Sequence, residues 1–161
     1  MKRLALLLLF SVPVFASGDN EITAENVTAL MNAYRAEAGM GPLRLDMKLN
    51  RAAESRMQDM MDGAWWSHQS PDGTPPFVWL TANDYKYVAA AENLAAGFET
   101  ARLLVESWIE SPGHRANILN PTYADCGIAV IEGRTDRRGE GKSIVVLFGR
   151  RAVEQVSAKR P

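Results

Sequence analysis

A single cysteine, Cys126, stands in a chain of 161 residues whose first residues read as an export leader. Lys2 and Arg3 precede the apolar run Leu4 to Phe15, and Val14-Phe15-Ala16 offers small residues at both positions that a signal peptidase reads, with a cut expected after Ala16. Small domains sent to an oxidising compartment are commonly cross-linked, but one thiol closes no internal disulfide. An apolar core must therefore hold this fold by itself. About 145 residues follow the cut, enough for one domain with a sizeable core. Between Asp125 and Gly127 the thiol reads as a small buried hydrophobe rather than a nucleophile.

The leader is too short, and too interrupted by Pro13, to span a bilayer that needs about 20 apolar residues, and no second long apolar stretch follows. No cysteine near the cut invites lipid modification. The expected organisation is a signal peptide over 1–16, an N-terminal segment over 17–25, one domain over 26–150 and a polar tail over 151–161. The expected product is a soluble monomer, released into the periplasm or outside the cell, with no membrane span after cleavage. Loss of Lys2 and Arg3 takes the formal charge from −1 to −3. That balance lacks the positive field a nucleic acid would require, so no nucleic-acid partner is expected.

Val27, Leu30, Met31 and Tyr34 recur at i, i+3, i+4 and i+7, which predicts an amphipathic helix ending near Gly39. After an extended connection, Asp46 is placed to cap a second helix whose buried face carries Leu49, Ala52, Ala53, Met57, Met60 and Met61, with Gly63 past its end. These methionines read as core filler. From Trp65 to about Tyr87 turn residues dominate, so a long irregular loop is expected, with a short helix around Phe77 to Leu80. Such a loop inside a small domain is commonly functional. Tyr85 to Ala96 reads as a bent strand. Thr100 to Glu110 reads as a helix with Leu104, Val105, Trp108 and Ile109 on its apolar stripe. Ser111-Pro112 opens a short helix that stops before Asn120-Pro121. Gly127 to Ile131 and Ser143 to Phe148 read as a β-hairpin around the charged loop Glu132 to Lys142, with Arg137 and Arg138 at its solvated tip. This order places the chain in the α+β class.

The chain has only two histidines, His68 and His114, and both sit in turn-bounded segments. Imidazole is the side chain suited to acid, base or metal chemistry near neutrality, so a polar site is expected there. In the first turn of its helix, His114 would meet the positive end of the dipole, which disfavours imidazolium. Asn93, Arg115 and Asn117 read as partners for backbone groups and carboxylates. Trp65 and Trp66 could wall a ligand groove, with at least one of them in the core.

The motifs Met31-Asn-Ala-Tyr-Arg, Gly41-Pro-Leu, Ser67-His68, Pro71-Asp-Gly, Ala91-Glu92-Asn93 and Ser111-Pro-Gly-His-Arg-Ala-Asn-Ile-Leu-Asn-Pro stand in the order typical of the CAP superfamily. The chain thus resembles the SCP-like proteins, which include cysteine-rich secretory proteins, antigen 5 and pathogenesis-related 1 proteins, and most closely their cysteine-poor bacterial secreted branch. The resemblance runs from Val27 to Gly149. It implies a three-layer α-β-α sandwich around a small antiparallel sheet, with an open cleft. Carried over, His68 and His114 match the two cleft histidines and Glu92 matches the glutamate of a Gly-Glu-Asn motif whose glycine is here Ala91. Ser111 stands where eukaryotic members carry a second glutamate, and it also reads as a helix N-cap. Glu110 beside it would point about 100° away around the helix.

His68, His114 and Glu92 supply the ligand types and number of an open Zn2+ site, whose bound water could act as a hydrolytic nucleophile. Alternatively, Glu92 orients a histidine through a hydrogen bond and the cleft is metal-free. Three functions follow. In the first, the exported domain binds a small or polymeric ligand, a lipid, sterol or cell-wall component. In the second, it is a metal-assisted hydrolase of peptide or peptidoglycan bonds, although Ser111 lacks an aspartate-backed triad. In the third, it is an extracellular interaction protein with a vestigial cleft.

Overall fold

The computed structural model describes residues 20–132 and 141–153. The expected leader, the expected hairpin tip with Arg137 and Arg138, and most of the expected tail lie outside the described residues. Helix α1 (Ala24–Glu37) begins where the Thr23 hydroxyl accepts the Asn26 amide at 3.1 Å. It ends before Gly39, whose φ of 71° lies in the left-handed region that glycine tolerates. A two-residue strand, β1 (Arg44–Leu45), leads to α2 (Met47–Asp62). The expected Asp46 cap is formed, with its carboxylate accepting the amides of Lys48 and Leu49 at 2.9 and 3.2 Å. The irregular loop contains only α3 (Val78–Ala82) before β2 (Tyr87–Phe98). Then come α4 (Ala101–Glu110), capped by Thr100, α5 (Pro112–Ile118), β3 (Asp125–Glu132) and β4 (Lys142–Arg151).

The sheet runs β1-β3-β4-β2. β3 and β4 form the expected hairpin and β2 pairs antiparallel with β4, from Tyr87 opposite Arg151 to Phe98 opposite Lys142. The edge differs from the sequence reading, because the connection before α2 is itself a strand that pairs parallel with β3 through Arg44 and Leu45. Two residues are too few to show alternation, which is why periodicity missed it.

Alternation along β4 sorts the core into two layers. Ile144, Val146 and Phe148 face one side, with Val27, Met31, Leu104, Val105 and Trp108 from α1 and α4. Val145 and Leu147 face the other, with Leu49, Ala53, Met57, Met60 and Leu80 from α2 and α3. A strand covered on both faces reads as an unbroken apolar run, as Ser143 to Phe148 nearly does. The three-layer sandwich is therefore built, and each fully buried Val, Leu or Ile contributes about 1.5–3 kcal/mol in a fold without a cross-link. Cys126 is buried, with its Sγ 3.6 Å from Thr28 Oγ1 and its thiol pushed up to about 11 by burial, as a core residue rather than a nucleophile. Met57 and Met60 fill the core as expected, but Met61 is 43 % exposed. Among the described residues, no helix is long and apolar enough to cross a membrane.

Candidate functional site

The two layers meet their chemistry at Glu92 and Asn93, neighbours on β2 whose side chains leave opposite faces of the sheet. Glu92 points toward α2 and the irregular loop, Asn93 toward α5. Each one holds a histidine-bearing segment.

On the first face, Arg56 rises from the middle of α2 with a side chain at 0 % exposure. Its Nε donates to Glu92 Oε2 at 3.0 Å, Nη1 donates to Ser70 Oγ at 3.0 Å, and Nη2 donates to the carbonyls of Ser67 and His68 at 3.0 and 2.9 Å. The guanidinium also lies 4.8 Å from the centre of the Trp65 ring. One buried cation thus ties the loop to the helix, and burial is tolerable because a carboxylate and three oxygens compensate the charge. The second carboxylate oxygen, Glu92 Oε1, lies 2.9 Å from His68 Nδ1. That bond fixes the ring and leaves Nε2 for a ligand, on a side chain 60 % exposed. The bond to Glu92 raises the His68 pKa above its ordinary value, against the opposing effects of burial and Arg56.

On the second face, Asn93 is buried and donates from Nδ2 to the His114 carbonyl at 3.2 Å. Asn117 donates to Asn93 Oδ1 at 2.9 Å and to the Glu92 carbonyl at 3.3 Å. These are the backbone-satisfying roles the sequence suggested for both asparagines, whereas Arg115 is exposed. His114 lies in the first turn of α5, half-buried, its ring centre 6.2 Å from that of Trp108. Its pKa is lowered, the direction expected from the helix terminus, but the causes are burial first and then the positive charge that His68 can carry. His114 thus feels the charge of His68, and the two imidazoles are shifted in opposite directions.

Ser111 occupies the N-cap position of α5, but its hydroxyl makes no capping bond; only its carbonyl accepts, from the Arg115 amide at 2.8 Å. Glu110 is exposed and borders a groove with Glu99 and Glu106 that neither histidine lines. Trp65 and Trp66 are both half-buried against the α2 layer of the core. Both Glu92 carboxylate oxygens are engaged, Oε2 by Arg56 and Oε1 by His68. Among the described residues no three His, Cys, Asp or Glu side chains converge as a metal-ligand group.

Sequence reasoning missed Arg56 and Ser70. The signal for Arg56 was available: it stands seven residues after Leu49, four after Ala52 and three after Ala53, in the apolar stripe of α2. A charged residue at such a position needs a buried partner, and Glu92 is that partner.

The cysteine-rich secretory protein (CAP) family model matches residues 28–148. The YkwD protein of Bacillus subtilis is 38 % identical over 108 residues, covering 67 % of this chain and 42 % of the relative. The membrane protein YlbC of the same organism is 27 % identical over 106 residues, covering 66 % and 31 %. The chain therefore spans less than half the length of these relatives. An outer surface protein of Borrelia burgdorferi superimposes with a TM-score of 0.69 at 24 % identity, over 83 % of this chain and 98 % of that one. An extracellular SCP-domain protein of Bacillus anthracis gives 0.66 at 24 % identity, over 88 % and 45 %. The motif order, the sandwich and the family match agree, and the chain belongs to the cysteine-rich secretory protein (CAP) family.

Proposed function

We propose that this is an exported ligand-binding domain whose cleft, between the loop bearing His68 and the start of α5, captures a polar component of the cell envelope. The observation that carries the reading is the support behind His68. Arg56 and Glu92 hold the ring with Nδ1 engaged and Nε2 open, as a binding site on rigid elements requires. The raised pKa favours the cationic, donating form of His68, and the lowered one favours the neutral, accepting form of His114. The extracellular Bacillus anthracis relative is consistent with export.

Hydrolysis is the second reading, favoured by one feature: two titratable groups shifted apart are the usual arrangement of an acid and a base. Against it, neither Ser111 nor Cys126 is hydrogen-bonded to an imidazole. A Zn2+ ion there would draw on the His68 and His114 rings, with Glu92 behind His68 as an outer carboxylate.

The test is co-sedimentation of the protein with purified cell-wall sacculi and with lipid vesicles, beside His68→Ala and His114→Ala, with soluble fragments assayed in the supernatant and one arm containing zinc. Retention lost in both variants without release of fragments supports capture. Fragment release that needs both histidines establishes hydrolysis instead, and zinc dependence would bring the metal into it. Retention indifferent to both variants removes the cleft from the function.

A further inference from the structure

A second polar concavity lies at the end of the sheet where β2 begins and β4 finishes, five residues before Glu92 along β2. It encloses about 560 Å³. Five cationic side chains line it, Arg44, Lys48, Lys86, Arg150 and Arg151, against two carboxylates, Asp84 and Asp125. This local excess of positive charge is hidden in a chain whose net charge is −1.

The floor is built, not incidental. Asp125 is 4 % exposed and Tyr85 1 %, and the Tyr85 hydroxyl donates to Asp125 Oδ2 at 2.9 Å. Asp125 Oδ1 accepts from Arg44 Nη2 at 3.0 Å, while Arg151 reaches both Asp46 and Asp125 and lies over the Tyr85 ring at 5.2 Å. Asp125 thereby anchors Arg44 and Asp46 anchors Arg151 at the rim, and each guanidinium keeps further N–H donors in a planar fork suited to oxyanions. Lys48 Nζ donates to the Asp84 carbonyl at 3.0 Å, a bond that leaves its charge unneutralised. Arg150 is exposed and forms no ion pair among the described residues.

We propose that this cleft binds a multivalent oxyanion of the diphosphate class, independently of the histidine cleft. Two carboxylate-anchored guanidiniums, two cations without carboxylate partners among the described residues and a volume larger than one phosphate call for an anion with more than one charged group.

The experiment is calorimetric titration of inorganic pyrophosphate, and separately of a diphosphate monoester, into the protein at about physiological ionic strength, where weak surface attraction is screened. Saturable binding of either compound is expected at one site, the monoester arm distinguishing a free anion from one borne on a larger molecule. Lys48→Gln with Arg150→Gln should weaken it by about tenfold or more, the equivalent of one lost charge-assisted bond. Neither change touches the Asp125 floor, so folding should survive, and circular dichroism checks it. Arg102→Gln, on α4, and His68→Ala should leave affinity unchanged. Absence of saturable binding, or equal weakening in the double variant and the Arg102→Gln control, overturns the proposal. So does loss of binding in His68→Ala.

Discussion

Arg56 and Glu92 meet through Nε and Oε2 at 3.0 Å, with their side chains at 0 % and 3 % exposure, so the helix α2 and the strand β2 are joined by a buried ion pair directly behind His68. Removing one member of such a pair strands the other charge in the core. Arg56→Met should therefore cost about 3–5 kcal/mol of stability. It also frees the carbonyls of Ser67 and His68, so the loop should exchange amide protons faster. Urea unfolding measures the first effect and hydrogen exchange the second. A loss below about 1 kcal/mol would mean that the pair is not what holds the loop.

The two histidines should titrate on opposite sides of 6.5, His68 above and His114 below. With only two imidazoles in the chain, proton NMR resolves them without ambiguity. Glu92→Gln removes the carboxylate and leaves burial and Arg56 acting alone, so the His68 value should drop beneath 6.5. Were His68 to keep its raised value in that variant, the Glu92 bond would not be its cause.

Linkage gives each shift a signature in stability. For His68 the folded pKa is raised, so its contribution is fully present below 6.5 and is lost as pH rises through the folded value. For His114 the folded pKa is lowered, so stability is lost as pH falls from 6.5 through the folded value. Exposure of the His68 side chain at 60 % means that solvent screens its share strongly. Denaturant midpoints between pH 5 and 8 should show the acid-side loss relieved in His114→Ala and the alkaline-side loss relieved in His68→Ala. Identical profiles for both variants and the parent would contradict the assignment.

Caps, stripes and turns were legible in the sequence because each is a local pattern: Asp46 before α2, Gly39 after α1, the continuous apolar run of β4. His68 and His114 were legible because imidazole is scarce here and their segments match a known motif order. Arg56 was missed because a helix stripe read only for apolar residues passes over a cation lying in it. Its partner is 36 residues away, a relation that no local window shows. Ser111 does stand at the N-cap of α5, as the sequence suggested, without a side-chain capping bond. Sequence can identify the N-cap position, but whether that side chain turns back to the helix amides is set by its surroundings in the fold.

Asn93→Ala should disturb the site from the other face. It leaves the His114 carbonyl and the Asn117 amide short of partners beside a buried strand, for about 1–3 kcal/mol. Because the lost bond is to the backbone of His114 itself, the ring should shift while the Arg56–Glu92–His68 array stays in place. NMR should accordingly show the His114 resonances displaced and the His68 pKa unchanged. Movement of both would mean that the two faces of β2 are coupled more tightly than their separate hydrogen bonds indicate.

Gly127 marks where α2 presses hardest on the sheet. A Cβ there would lie 2.0 Å from the Leu49 carbonyl carbon and 2.4 Å from the Asn50 amide nitrogen, both backbone atoms with no rotamer to yield. Gly127→Ala must push α2 outward, breaking the bond from the Ile128 amide to Asn50 Oδ1 that closes this contact at 2.9 Å. A loss of about 3 kcal/mol or more is expected, the upper range for overpacking. Gly41→Ala is the control, since its Cβ would meet nothing within 4 Å, and it should change stability by no more than about 1 kcal/mol. The consequence reaches the cleft because α2 also carries Arg56. If Gly127→Ala remains folded, displacement of α2 should lengthen the Arg56–Glu92 contact and lower the His68 pKa, although residue 127 touches neither histidine. Thermal unfolding and the His68 titration together check this, and a destabilised variant with an unchanged His68 would show that Arg56 follows the loop rather than the helix.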